Sequence, residues 1–394
     1  MNGIDLNSVA DISFQLKWES HGGSHLECLA ARGVNLWRDW LPESVRRALM
    51  GRRSWEQASA HFKPGELFGS HGGRLDLDRK RFSLVPQLGR FYPQGRLNGV
   101  PGVFPQNIQP FRCVALNNGR MGVEMSHPLA GYPLTLSMTV GEVAVKESER
   151  GGSCVDWVGL LTDGPGMQAR WQGQPTDFFS DRPFDRKNEQ ADSRFYENPR
   201  LVHHLDATAR EMVADIYKRF VRGGVHLLDL MGSWVSHIPQ VPVPDRVSGL
   251  GMNRAELEQN PQLSDIQVHD LNAAPVLPYT DSSFDVAICT VSVEYLTQPL
   301  SVFAEVGRVL KPGGVFVVTF SNRWFPPKVV RIWEQLHEFE RVGLVMEYFL
   351  RSGRFSNISS YSMRGLPRPR DDKYAGERTL SDPVFAVWGT RTAI

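Results

Sequence analysis

Four blocks constrain this chain more than anything else in it. They are "LLDLMGSWVSHIP" (227–239), "VSGLGMN" (247–253), "VHDLNAAPVLPYTDSSFDVAICTVSVEYL" (268–296) and "VLKPGGVFVVTFSN" (309–322). In the first, an apolar strand, Val225–Leu228, runs into Asp229, and a turn of small residues, Gly232 and Ser233, follows. Strand, polar turn and strand recur in the later blocks. This order predicts an open α/β sheet whose ligand lies at the carboxyl ends of the strands, where strand order reverses. Apolar residues at Leu205, Ala209, Met212, Val213, Ile216, Tyr217 and Phe220 predict an amphipathic helix before the first strand. "DPVFAVWGTR", near the carboxyl terminus, predicts a last, antiparallel strand.

The blocks resemble class I S-adenosylmethionine-dependent methyltransferases, following in order the pattern LDLGCGTG … GVDIS … DAENLPFPDNSFDVV … LKPGG. The resemblance implies a Rossmann-like fold over residues 201–394, with a seven-stranded sheet and an antiparallel last strand. It implies S-adenosylmethionine as cofactor. It places cofactor contacts at Asp229, Met231, Gly232 and Ser233 after the first strand, and at Gly251, Met252 and Asn253 after the second. Asp270, Leu271 and Asn272 fall on the adenine side, and Thr290 ends the fourth strand. The chain departs from the pattern twice. The Gly-x-Gly-x-Gly positions read Met231, Gly232, Ser233, Trp234 and Val235. The acidic residue that usually meets the ribose falls on Gly251, which leaves Asn253 or backbone groups to reach the hydroxyls.

Methyl transfer is an in-line displacement, so catalysis is mostly positioning plus removal of a proton from the acceptor. Glu294 is a candidate base and Tyr295 a candidate orienting group after the fourth strand. The competing reading pairs Glu294 with an arginine. His204, beside His203 and before the amphipathic helix, is a third candidate, and Asn322, Arg323 and Trp324 follow the fifth strand. The expected acceptor is a small molecule. A soft nucleophile such as a thiol needs little base assistance.

The first 150 residues are mostly β. Ile12–Trp18 alternates as a strand does, and Pro42 to Met50 reads as a short helix. "NNG" between "FRCVAL" and "RMGVEM" predicts a hairpin, and Leu134 to Lys146 a long strand. The segments "SFQLKWESHGG", "PESVRRALMGRRSWEQASAHFKPGELFG" and "SHPLAG" (126–131) resemble the SlyD-type FKBP prolyl isomerases and chaperones. The resemblance implies an FKBP-like domain over 1–69 and 129–150, with a small β insert-in-flap domain over 70–128. The family's pocket carboxylate falls at or near Glu27, and its aromatic positions fall on Phe68 and Leu136. These departures predict an eroded isomerase pocket, used for docking or gating. Residues 151–200, too aromatic for a flexible linker, predict an ordered joint or lid. The alternatives are a folding chaperone or prolyl isomerase with a regulatory methyltransferase-like domain, and a protein methyltransferase fed by a client.

A net charge of +1, from 44 basic and 43 acidic residues, gives no basic excess for nucleic acid or an anionic membrane. Cys28, Cys113, Cys154 and Cys289 are scattered, which argues against a disulfide framework or a cysteine-built metal site. "HEFER" fails the His-Glu-x-x-His zinc pattern because Arg341 stands at the second histidine. No metal is expected. With neither a basic-then-apolar leader nor an apolar run of about 20 residues, the expected location is cytoplasmic.

Overall fold

The structure is a computed structural model that describes residues 3–69, 73–145 and 151–393. The chain divides into two compact units, Met1–Asp181 with His337–Gly343, and Arg182–Leu336 with Leu344–Ile394. The aromatic joint expected over 151–200 is split between them. Ser70 and Lys146–Arg150, at the edges of the expected amino-terminal domains, lie outside the described residues.

In unit 1, β1 (Ser8–Ser20) and β2 (Gly23–Asn35) form a long antiparallel pair. Helix α1 (Glu43–Leu49) starts after Pro42 and buries Val45 and Leu49. Then come β3 (Gln57–Phe62), β4 (Arg74–Asp78), β5 (Phe91–Pro93), β6 (Pro110–Asn117), β7 (Arg120–Glu124) and β8 (Leu134–Val145). One antiparallel sheet runs β2-β1-β8-β3, and the chain between β3 and β8 builds a second, β4-β7-β6-β5. Period-two alternation on β1 sends Phe14, Leu16 and Trp18 into a core shared with α1. The second sheet has its own core around Phe82, Phe111, Met121 and Val123. Asn118 and Gly119 turn between β6 and β7 with φ of 42° and 78°, the positive values a two-residue hairpin needs. Helix α2 (Trp157–Thr162) follows, capped by Asp156, whose Oδ1 accepts from Gly159 N at 2.7 Å.

Unit 2 begins with the short helix α3 (Asp192–Phe195) and the amphipathic α4 (Ala207–Lys218). Its strands are β9 (His226–Leu230), β10 (Arg246–Gly251), β11 (Asp265–Val268), β12 (Phe284–Thr290), β13 (Leu310–Phe320), β14 (Phe355–Arg364) and β15 (Val384–Arg391). Their order is β11-β10-β9-β12-β13-β15-β14. The five strands from β9 to β13 pair in parallel, and β15 is antiparallel to both of its neighbours. The seven strands and the antiparallel last one are those of the Rossmann-like fold expected from the sequence, and the switch point lies between β9 and β12. Residues 311–314 of "KPGG" lie within β13 opposite the single residue Asp285, between the pairs Phe284↔Leu310 and Val286↔Val315, with Gly313 at φ 78°.

Helix α5 (Arg254–Glu258) joins β10 to β11, and α6 (Pro299–Val309) joins β12 to β13. Among the described residues 231–245, between β9 and β10, none is helical. Pro239, Pro242 and Pro244 account for the second half of that crossover, since proline removes the amide donor and clashes with the preceding turn. Helix α4 is fixed on the sheet by Tyr217, which is fully buried. Its hydroxyl meets Thr290 Oγ1 at 2.5 Å and Thr319 Oγ1 at 2.8 Å.

Candidate functional site

A cavity of about 1200 Å³, part of it open to solvent, sits in unit 2 at the carboxyl ends of β9, β10, β11 and β12. This is where the switch-point rule places a ligand. Asp229, on β9, is 1% exposed, and its Oδ2 has no hydrogen-bond partner. Burial pushes this carboxyl up to about 7, against a smaller pull from a Ser236 hydrogen bond. Met231 follows with φ 57°, and Gly232 N donates to Leu250 O at 2.8 Å. A Cβ on Gly232 would lie 2.7 Å from Asp229 Oδ2. A Cβ on Gly251 would strike the Gly232 carbonyl oxygen. The first and second turns therefore touch backbone to backbone, and no acidic side chain fits at the end of β10. That contact explains the departure at Gly251.

Most of the residues expected from the sequence converge here. Met231, Gly232, Ser233, Gly251, Met252 and Asn253 line the cavity on the β9–β10 side. Asp270, Leu271, Asn272, Thr290, Tyr295 and His204 complete it. Glu294 does not line it. It is fully buried in the turn after β12, where its backbone carbonyl accepts from Val330 N at 3.0 Å. Lying next to a site in sequence does not put a side chain in it. Phe325 lines the cavity after β13, whereas Asn322, Arg323 and Trp324 do not.

Several of these side chains are already committed. Asn253 caps α5, accepting from Glu256 N at 3.1 Å, while its amide donates to Tyr196 O and Glu197 O at 2.9 and 3.0 Å. That leaves little of it for a ribose. Asn272 bridges Asp192 Oδ2 (2.7 Å) and Tyr295 O (2.9 Å), and its Oδ1 accepts from Thr297 N at 2.8 Å. Asp270 Oδ1 accepts from Asn272 N and Ala273 N, at 2.9 and 3.1 Å. The Tyr295 hydroxyl accepts from Phe325 N at 2.8 Å, and the two rings stack at 5.9 Å. Burial holds this phenol well above its ordinary range, so it does not serve as a base. His204 stands edge-on to Phe325 at 5.0 Å, and burial holds its imidazole below the usual value.

Sequence reasoning missed Glu256 and Arg200. The Glu256 carboxylate accepts from Ser233 Oγ at 2.6 Å and from Arg200 N at 2.7 Å, at the rim where Gly251 excludes an acid. Asn253-x-x-Glu256 has the spacing of a helix-start box, which is the one signal that marks it. Arg200 carried no signal, because it precedes every block. Among the described residues no group of three or more His, Cys, Asp or Glu could hold a metal ion, and no helix is long and apolar enough to cross a membrane.

The second expected pocket, in unit 1, is closed. Glu27 is 1% exposed, and its Oε1 accepts from Gln168 Nε2 at 2.7 Å. Gln168 Oε1 in turn accepts from Gly166 N at 2.8 Å. Residues 164–169 are all buried, and a Cβ on Gly166 would lie 2.7 Å from the Pro128 side chain. Phe68 stacks on His127 at 3.6 Å, and Leu136 is fully buried in the core.

Residues 246–318 match the family model described as a methyltransferase domain. A malonyl-[acyl-carrier protein] O-methyltransferase from Marinomonas sp. is 28% identical over 97 residues, covering 22% of this chain and 36% of that protein. The biotin biosynthesis bifunctional protein BioHC from Teredinibacter turnerae is 34% identical over 67 residues, covering 17% of this chain and 12% of that protein. The chain thus spans about a third of the first relative's length and about an eighth of the second's. Among solved structures, a chain from the complex of the Haloferax volcanii Trm112 methyltransferase activator with a methyltransferase is 15% identical, covering 52% of this chain and 95% of that one, at a TM-score of 0.38.

Proposed function

Because residues 246–318 match a methyltransferase-domain model, we propose that unit 2 is a class I S-adenosylmethionine-dependent methyltransferase domain that methylates a small-molecule acceptor in its pocket. The observation that carries this reading is Asp229 Oδ2, a buried carboxylate oxygen with no partner on the wall of a cavity at the switch point. Buried polar groups are almost always paired, and the cofactor's ammonium is the right partner for this one. Gly232 and Gly251 let the first and second turns meet backbone to backbone on the cavity wall. Asp270 would accept from the adenine amino group, and Ser233 or Glu256 would face the ribose. When bound, S-adenosylmethionine supplies an electrophilic methyl carbon on a sulfonium. His204, held below its ordinary value and so neutral at pH 7, would take the acceptor's proton. Tyr295 and Phe325 would hold the acceptor's flat or apolar part.

We read unit 1 as an FKBP-like domain with an insert, serving docking or gating rather than proline isomerisation. What supports this is that Glu27 is bonded to Gln168 and that Gly166 packs on Pro128, where a client proline would need room. A reducing, cytoplasmic setting fits the four free cysteines. The test is titration calorimetry of the whole protein with S-adenosylmethionine and S-adenosylhomocysteine. Binding at micromolar strength that Asp229→Asn weakens supports the reading. Absence of binding by both ligands overturns it.

A further inference from the structure

We propose that Arg200 is a carboxylate receptor in the unit 2 pocket, an inference that rests on the methyltransferase reading. Arg200 is held from three sides. Its backbone N donates to Glu256 Oε1 at 2.7 Å, and Nη2 donates to Phe195 O at 3.1 Å. Its guanidinium carbon lies 4.4 Å from the ring centre of Phe195, 5.6 Å from Tyr196 and 5.1 Å from Phe325. Yet Nη1 is buried with no hydrogen-bond partner, and among the described residues no carboxylate pairs with this arginine. Three other low-exposure arginines are paired with carboxylates, although Arg112 bonds only the Gly89 and Ala169 carbonyls. Arg90 meets Glu340 at 3.0 Å, Arg186 meets Asp192 at 2.8 Å, and Arg368 meets Asp382 at 2.8 Å. Arginine stays charged in proteins, and its planar fork matches a carboxylate. A fixed guanidinium with no carboxylate partner and a buried, unpartnered Nη1 on a cavity wall is a binding group awaiting its anion.

The crossover after β9 adds an independent reason. In open α/β sheets the turn after the first strand usually leads into a helix whose amino terminus favours an anion. Here residues 231–245 are described and not helical, so that source of positive potential is absent. A side chain must meet a ligand carboxylate instead. Glu256, beside Arg200, already accepts from Ser233 and from the Arg200 backbone. Arg323 and Lys373 add positive potential around His204 in the same pocket.

Two ligands could bring the carboxylate: the amino-acid end of the cofactor, or an acidic acceptor. Calorimetry on the full chain and on Arg200→Gln separates them. The probes are S-adenosylhomocysteine, 5′-methylthioadenosine (the same nucleoside thioether without the amino acid) and malonate added to S-adenosylhomocysteine-loaded protein. If the cofactor is the source, Arg200→Gln weakens S-adenosylhomocysteine by about tenfold or more and leaves methylthioadenosine unchanged. If the acceptor is the source, both nucleosides bind as before, and malonate binds the loaded wild type but not the variant. Equal weakening of both nucleosides would mean Arg200 only supports the wall, and overturns the proposal. So does an unchanged response to S-adenosylhomocysteine and malonate. Failure of both nucleosides to bind the wild-type chain would instead sink the methyltransferase reading beneath it. Should Arg200→Gln lose its thermal unfolding transition, Arg200→Lys replaces it. That variant keeps the charge but not the fork, and an intermediate loss is expected.

Discussion

Glu27 in unit 1 and Asp229 in unit 2 are both 1% exposed, and both stand where a family resemblance puts a binding carboxylate. Their surroundings differ. Glu27 is bonded to the amide of Gln168, in a segment whose glycine packs on Pro128. Asp229 keeps an unpartnered oxygen on the wall of a cavity. A buried charge that its own chain satisfies is part of the structure. One that its own chain leaves open is waiting for a ligand, because an unpaired buried group costs about 1–3 kcal/mol or more for as long as it stays unpaired. The chain satisfies the first carboxylate itself and leaves an oxygen of the second open.

The hardest test of the open pocket restores the acid that the family carries. Gly251→Asp forces a Cβ into the Gly232 carbonyl, a backbone atom that cannot step aside cheaply. Cofactor affinity should fall by about a hundredfold or more, or the chain should fail to fold, as read by titration with S-adenosylhomocysteine and by thermal melting. A variant that binds as well as the natural chain would show that the two turns do not need backbone contact.

The closed pocket is tested by Glu27→Ala. It strips the Gln168 amide of a buried partner and should cost unit 1 about 1–3 kcal/mol in denaturant unfolding. Amide hydrogen exchange at residues 164–169 should quicken. Unchanged exchange would mean that the segment is held by packing alone, and the contrast between the two carboxylates would weaken.

Asp229 also sets a pH dependence. Its carboxyl must lose its proton to pair with an ammonium, and burial has raised the free protein's value to about 7. Bound ligand lowers that value again, so affinity for S-adenosylmethionine should climb as pH rises through roughly 7 and level off above it. Without ligand the sign reverses. A raised carboxyl contributes stability at low pH that is lost as pH climbs from the ordinary carboxylate range towards about 7. Asp229→Asn should flatten both profiles. A sloped binding profile in that variant would move the titrating group away from Asp229.

The strands of unit 2 were legible because buried parallel strands are short apolar runs, each ending at a polar turn, and Asp229 and Thr290 mark two of those ends. The hairpin at Asn118–Gly119 was legible because few residues tolerate its positive φ. What the sequence hid was commitment. Asn253 and Asn272 look like ligand groups by position, yet their amides are spent on Tyr196, Glu197, Asp192 and Tyr295. Glu294 looks like a base by its neighbour Tyr295, but a tight turn sends adjacent side chains to different places. Arg200 and the Gln168 plug are long-range pairings with no local pattern to announce them.

The smallest expected effect belongs to Asp270, and it sharpens the comparison because this carboxylate is half spent. One oxygen holds the turn through Asn272 N and Ala273 N. In the proposed reading the other is left for the adenine amino group. Asp270→Ala confounds the two roles, since it also frees the turn. Asp270→Asn separates them, because the amide oxygen can keep the turn while the nitrogen replaces an acceptor with a donor. The natural chain should prefer S-adenosylhomocysteine over S-inosylhomocysteine, whose base carries a carbonyl in place of the amino group. In Asp270→Asn that preference should shrink or invert by about tenfold, roughly one hydrogen bond to a charged group. The melting temperature should stay near that of the natural chain. An unchanged preference would mean that Asp270, like Glu27, serves only its own backbone, and the open pocket would then rest on Asp229 alone.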